Sequence, residues 1–251
     1  MASLRQPFKK ALLTAARLGA NGVELDARNR VFSEDFSRSA LRHLRKMLDD
    51  LSLRVCAVSF PSDRGYGTPD GLDSRMAAAM RAQRLAYELR SPVVVSQVGK
   101  VPADSGAQEW DVLVDSLTEL GRYGTHVGAR LAAETGAEPP ADLKRLIEAV
   151  AEHAVAVDLN PGKLIANGYS PREAVEQLGA HVAHVHASDG LRDPARGEAL
   201  EVTVGQGDAE FPELLGVLEN FQYRGFVTVE RRASHDPERD VKMAVEYLKN
   251  L

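Results

Sequence analysis

Two imidazoles stand one residue apart in the run Ala183-His184-Val185-His186-Ala187-Ser188-Asp189-Gly190. Read as a strand, its period of two puts His184 and His186 on one face and Val185 and Ala187 on the other. If that face looks into a barrel or cleft, a histidine there can be a metal ligand or proton carrier; the alternative is a buried histidine held by hydrogen bonds. Other short apolar runs also close on polar groups: Glu24, Ser59, Gln97, Glu134, Asp158 with Asn160, and Glu230. In parallel α/β architectures functional groups gather at the C-terminal ends of strands. Carboxylates mixed with imidazole at such ends suit one divalent ion, Mg²⁺, Mn²⁺, Co²⁺ or Zn²⁺. Each carboxylate taken alone is equally well read as a helix cap or the partner of an arginine.

The elements that must position these groups alternate along the chain. Strands are expected near 21–26, 54–60, 92–99, 130–134, 154–159, 183–190 and 225–230, each followed by a segment of helical spacing. The helix at 37–50, for example, places Leu41, Leu44, Met47 and Leu48 on one side. Seven short apolar strands alternating with helices predict βαβ units around a parallel sheet buried on both faces. No G-x-G-x-x-G stands between a strand and a helix, which disfavours a dinucleotide-binding fold. A (β/α)8 TIM barrel fits the length and rhythm, with the first strand short or missing: only residues 1–6 precede the first helix. Those six residues supply a stub, or the chain starts late relative to its kin and leaves an edge for a partner copy to cover. No linker or low-complexity segment interrupts the pattern, so residues 1–251 are expected to form a single domain.

Composition narrows the function classes. A net charge of −5 argues against general nucleic-acid binding, which needs a basic face. The single cysteine, Cys56, excludes an intrachain disulfide and suits a reducing cytoplasm. It lies in Val55-Cys56-Ala57-Val58 and reads as a small buried hydrophobe. No apolar run is long enough to span a membrane, and no signal peptide is visible. Trp110 opens a helix and reads as packing.

The chain resembles the xylose isomerase-like TIM barrels, a superfamily of sugar and sugar-phosphate isomerases and epimerases with endonuclease IV-like relatives. The resemblance covers nearly the whole chain. It rests on Gly19-Ala20-Asn21-Gly22-Val23-Glu24, Ala133-Glu134-Thr135-Gly136, Asn160-Pro161-Gly162-Lys163-Leu164-Ile165, His184-Val185-His186-Ala187-Ser188-Asp189, Gly205-Gln206-Gly207-Asp208-Ala209-Glu210-Phe211 and Tyr223-Arg224-Gly225-Phe226-Val227-Thr228-Val229-Glu230. It implies that Glu134, a group at 158–160, His186 and Glu230 hold one divalent metal. It also implies that Glu134 and Glu230 exchange the substrate's proton through an enediolate, and that Asp189 orients His186 or a loop. Many relatives end the relevant strand in Asp-Pro-small-Asn; here Asn160 takes the Asp position and Lys163 the Asn position. An amide brings no charge and an ammonium opposes a metal, so Asp158 is preferred over Asn160 as the ligand.

Glu24, Arg64, Gln97, Lys163, His184 and Asp189 are expected around the substrate, Arg64 as a partner for a phosphate or carboxylate. The leading expectation is a metal-dependent isomerase or epimerase of a small carbohydrate. A metal-dependent dehydratase or lyase is the alternative on the same scaffold. A non-catalytic sugar-binding barrel is the third reading, motivated by Asn160 and Lys163. The expected partner is a small-molecule carbohydrate, with no nucleic acid or membrane and with a homo-oligomer possible.

Overall fold

Runs such as Val55-Cys56-Ala57-Val58 and Val93-Val94-Val95 are too short for buried helices and rich in β-branched residues, and each becomes a strand. The computed structural model describes residues 1–32, 36–193 and 198–251. Its strands in chain order are β1 (Gly22–Asp26), β2 (Arg54–Ser59), β3 (Val93–Ser96), β4 (Arg130–Glu134), β5 (Ala156–Leu159), β6 (Val182–Ala187), β7 (Asp189–Asp193), β8 (Glu198–Val202) and β9 (Val227–Val229). Seven of them form one sheet in the order β1-β2-β3-β4-β5-β6-β9, every pair parallel. The sheet is a nearly closed barrel.

The helices are α1 (Phe8–Arg17), α2 (Arg38–Asp50), α3 (Leu72–Glu88), α4 (Gln108–Val127), α5 (Pro140–Ala149), α6 (Pro161–Ala166), α7 (Pro171–Leu178), α8 (Phe211–Asn220) and α9 (Pro237–Lys249). Five of them carry proline in the first turn, where its missing N–H costs nothing. In α2 the Ser37 hydroxyl caps the start, and Leu41, Leu44 and Leu48 are buried. Trp110 is buried with the Arg145 guanidinium stacked 4.4 Å above its ring. Cys56 is buried and lies 3.2 Å from the Thr228 hydroxyl. Among the described residues no helix is long and apolar enough to cross a membrane.

The seam between β9 and β1 has no strand ladder. Residues Ala2–Leu4 form a 3-10 turn across it. The Met1 nitrogen donates to the Glu24 carbonyl on one side at 3.2 Å. The Ser3 hydroxyl donates to the Val229 carbonyl on the other at 3.3 Å and accepts from the Arg231 N–H at 3.2 Å. Gly22 lets the two edges approach, since a Cβ there would stand 3.0 Å from the Phe226 ring. The place of a first strand is thus held by a turn.

Small residues fill the barrel below its mouth: Ala57, Val93, Val95, Ala132 and Ala156 form a buried cluster contributed by four adjacent strands. Two residues further along those strands stand Ser59, Gln97, Glu134 and Asp158, so strand alternation stacks a polar layer directly above an apolar one.

The sequence pattern assigns no strand between β6 and β9, yet β7 and β8 form an antiparallel hairpin there. Its organiser is Asp189, buried, whose carboxylate accepts the backbone N–H groups of Gly190, Gly205, Gly207 and Ala209 at 2.9–3.1 Å. Glu201 of β8 accepts from the backbone N–H of Arg232 at 2.7 Å and of Ala233 at 2.5 Å, tying the hairpin to the chain after β9.

Glu138, in the loop after β4, is a buried carboxyl whose two oxygens have no hydrogen-bond partner among the described residues. Burial, with Asp142 adding to it, pushes its pKa from 4.5 up to about 7. A carboxyl raised on folding binds more protons in the folded state, so stability falls as pH climbs from 4.5 through about 7. The loss approaches ~3 kcal/mol. Glu138→Gln should therefore melt higher than wild type at pH 8, with the gap closing at pH 4.5; thermal unfolding at the two pH values measures this.

Candidate active site

The polar layer converges at the C-terminal mouth of the barrel on a cavity of about 640 Å³. Glu24, Gln97, Glu134, His186, Glu230 and Arg232 face it, joined by Asp26, Arg28, Asp63 and Arg231 at its wall. Asp158, Asn160, Lys163 and His184 form a supporting layer that does not line it.

Asp158 is fully buried and its two oxygens take one imidazole each. Oδ1 lies 2.7 Å from Nδ1 of His184 and Oδ2 lies 2.7 Å from Nδ1 of His186. The register of β5 shifts against β6 between Val157 and Asp158, which sets Asp158 opposite His184. The far nitrogen of His184 meets the Thr228 hydroxyl at 2.8 Å, and that of His186 meets Glu24 Oε2 at 2.7 Å. Burial favours neutral imidazoles. For His184 the Asp158 bond, the Cys56 bond and the Asp158 charge together outweigh it and carry the pKa up to about 9. For His186 the Asp158 and Glu24 charges lift it well above the usual range. The carboxylates respond inversely. Against the upward push of burial, His186 holds Glu24 down to about 2, and the two histidines hold Asp158 well below the carboxylate range.

Asn160 joins the remaining acids. Its Nδ2 donates to Glu134 Oε1 at 2.9 Å and to Glu230 Oε2 at 2.8 Å. Glu134 Oε2 also takes the Gln97 amide at 3.2 Å and pairs with Lys163 Nζ at 2.5 Å. Glu230 Oε1 accepts Arg232 Nε at 2.8 Å, and although burial works upward, His186 and Arg232 lower its pKa. Four carboxylates (Glu24, Glu134, Asp158, Glu230) are thus paired with two imidazoles (His184, His186), an ammonium (Lys163) and a guanidinium (Arg232).

Glu134, Asp158 and His186 present ligand-type atoms within 4.8 Å of one another, as do Glu24, His184 and His186. These clusters have the composition of a metal site. The groups turned toward the two glutamates are nonetheless donors: an amide NH₂ and an ammonium. In this arrangement they do not fit a divalent ion.

Several expected residues have other places. Arg64 pairs with Asp70 on an exposed loop and does not line the cavity. Of its two expected roles Asp189 takes that of anchoring a loop, Gly205–Ala209, and His186 is oriented by Asp158 and Glu24. His184 is a buried, doubly bonded histidine. Arg231 and Arg232 escape notice in the sequence because they follow the strand end. Two consecutive arginines directly after Glu230 were the available signal.

A family model described as xylose isomerase-like TIM barrel matches residues 12–251. The chain belongs to that family. Among curated relatives, an inosose dehydratase of Bacillus thuringiensis (strain Al Hakam) is 26% identical, the match covering 92% of this chain and 83% of the relative. Two solved structures share the fold. A xylose isomerase domain protein from Planctomyces limnophilus has TM-score 0.85 at 24% identity, covering 95% of this chain and 91% of that one. A D-psicose 3-epimerase with D-tagatose from Clostridium cellulolyticum H10 has TM-score 0.77 at 16% identity, covering 98% and 94%. For this xylose isomerase-like barrel, the likeness to the two structures speaks to architecture alone.

Asp158 is the keystone of the buried charges. Asp158→Asn leaves buried His184 without its counter-charge and His186 with Glu24 alone, and should cost about 3–5 kcal/mol in denaturant unfolding at pH 6. His184 is raised on folding, so the stability it adds is complete below pH 6.5 and is lost as pH rises through about 9. The deficit of the variant should accordingly shrink between pH 6.5 and 9.

Proposed function

We propose that this barrel is an enzyme that removes the proton beside the carbonyl of a small polyhydroxylated ketone and expels the hydroxyl on the next carbon as water. The observation that carries the reading is the pair Glu134 and Glu230, both facing the polar cavity and both held within 2.9 Å of one amide nitrogen. Two carboxylates aimed at one bound molecule are suited to take up and give back a proton. As the C–H bond breaks, its electrons form the enolate. Collapse of the enolate ejects the β-hydroxyl, which leaves as water with the proton. Gln97 and Arg232 supply N–H donors near the place where negative charge grows. The asymmetry of the pair fits one acid and one base: Glu134 takes three donors, and Glu230 is tied to Asn160 and to an arginine that is itself exposed at the rim.

The curated relatives named inosose dehydratase favour elimination over simple return of the proton. Epimerisation is the second reading. It uses the same first step, and two carboxylates could return the proton from the opposite face. Under either outcome the substrate is a small carbohydrate or cyclitol ketone.

The test is a panel of inososes, ketohexoses and dehydroshikimate-like hydroxyketones incubated in D₂O and followed by NMR. The expected result is an unsaturated product with loss of water. A solvent deuteron returned to an intact, inverted carbon selects epimerisation. No exchange on any member of the panel removes the reading. Glu134→Gln and Glu230→Gln should each lower turnover by roughly 10²–10⁴-fold.

A further inference from the structure

Where the resemblance implies that many relatives carry Asp-Pro-small-Asn after the fifth barrel strand, this chain has Asn160-Pro161-Gly162-Lys163. The two changed residues are neighbours in space as well as in sequence, and together they reverse the chemistry that this corner presents. We infer that the cation of this site is the protein's own. The Lys163 ammonium and the Asn160 amide take up the two glutamates, and the barrel holds no divalent ion there.

The orientation of Asn160 is decided by its backbone neighbours. It is the N-cap of α6: its Oδ1 accepts the Lys163 N–H at 3.1 Å and the Ser188 hydroxyl as well. With the oxygen end committed, the NH₂ end points to Glu134 and Glu230. An aspartate in the same place could cap the helix with one oxygen and offer the other to a metal. Asparagine caps equally well and offers hydrogens, which have no lone pair to donate.

Lys163 completes the reversal. Its Nζ is buried, sits 2.5 Å from Glu134 Oε2, and makes no hydrogen bond beyond that ion pair among the described residues. The stem is held close by Gly136, at φ +117°, where a Cβ would come within 2.5 Å of the Lys163 Cβ. The loop after β4 and the start of α6 therefore meet directly, and the side chain has a short path to Glu134. Arg232 does the same for the outer oxygen of Glu230. Each of the two carboxylates that would hold a metal already has a positive partner, buried Lys163 for Glu134 and exposed Arg232 for Glu230, and a divalent ion placed between them would be repelled by both.

The test is calorimetric titration of the full chain, stripped with EDTA and dialysed, with MnCl₂, and melting with and without the ion. The wild type should show no Mn²⁺ binding up to about 1 mM and a melting shift below about 1 °C. Asn160→Asp with Lys163→Asn should gain one Mn²⁺ per chain, bound at least about 100-fold more tightly than by wild type, with a higher melting temperature in its presence. Asn160→Asp alone should gain weaker binding, and serves if the double variant does not fold. Stoichiometric Mn²⁺ on the wild type overturns the inference. So does a set of folded variants that stay as blind to Mn²⁺ as wild type, because other groups would then be excluding the ion. The titration contains no substrate, so its outcome is separate from that of the proposed reaction.

Discussion

A carboxylate with no exposure to solvent must be paired, and Asp158 meets that demand in a way that organises the barrel mouth. Both of its oxygens are used, one for each histidine of β6. Each histidine then has a second nitrogen to satisfy. His184 passes the demand to Thr228 on β9 and through it to Cys56 on β2; His186 passes it to Glu24 on β1. The polar chain therefore crosses from β5 and β6 to the far side of the seam, where no strand ladder joins β9 to β1. Hydrogen bonds between side chains hold across the interior what backbone pairing leaves open at the edge.

The layer beneath this chain is buried and apolar. Ala57, Ala132 and Ala156 leave little volume, and Val93 and Val95 fill what remains. Larger residues there would push the polar layer toward solvent and weaken the pairing of its charges. A low-dielectric floor and a complete set of partners are two aspects of the same arrangement. Neither would hold buried ions alone.

The fold was legible in the sequence because its signal is local: short β-branched runs ending in polar residues, alternating with helical spacing. Glu134, His186 and Glu230 could be singled out for the same reason, since each ends a strand and the parallel topology brings strand ends together. The hairpin was not legible. Asp189-Gly190-Leu191-Arg192-Asp193 has little β-forming character, and what shapes it is a carboxylate collecting four N–H groups, three of them from residues 205–209. The direction of the Asp189 side chain, away from His186, depends on that distant loop. Arg64 was misplaced by a related effect: a cation in a Gly/Pro loop finds the nearest acid, Asp70, before it finds a ligand.

Asn160 marks the boundary between what a family resemblance carries over and what must be read from the structure. Asp and Asn have the same shape and comparable capping ability, and Asn160 caps α6. All of the difference falls on one atom, the one turned toward Glu134 and Glu230, which changes from an acceptor with charge to a donor without it. The two glutamates are short of neither partners nor positive charge, because Lys163 stands three residues after Asn160 and Arg232 two residues after Glu230. The substitutions are intelligible as a set: the amide satisfies the inner oxygens, the two cations the outer ones, and the carboxylates keep the positions they need to face a substrate. A fold that hosts many chemistries can change the source of its positive charge without moving a strand.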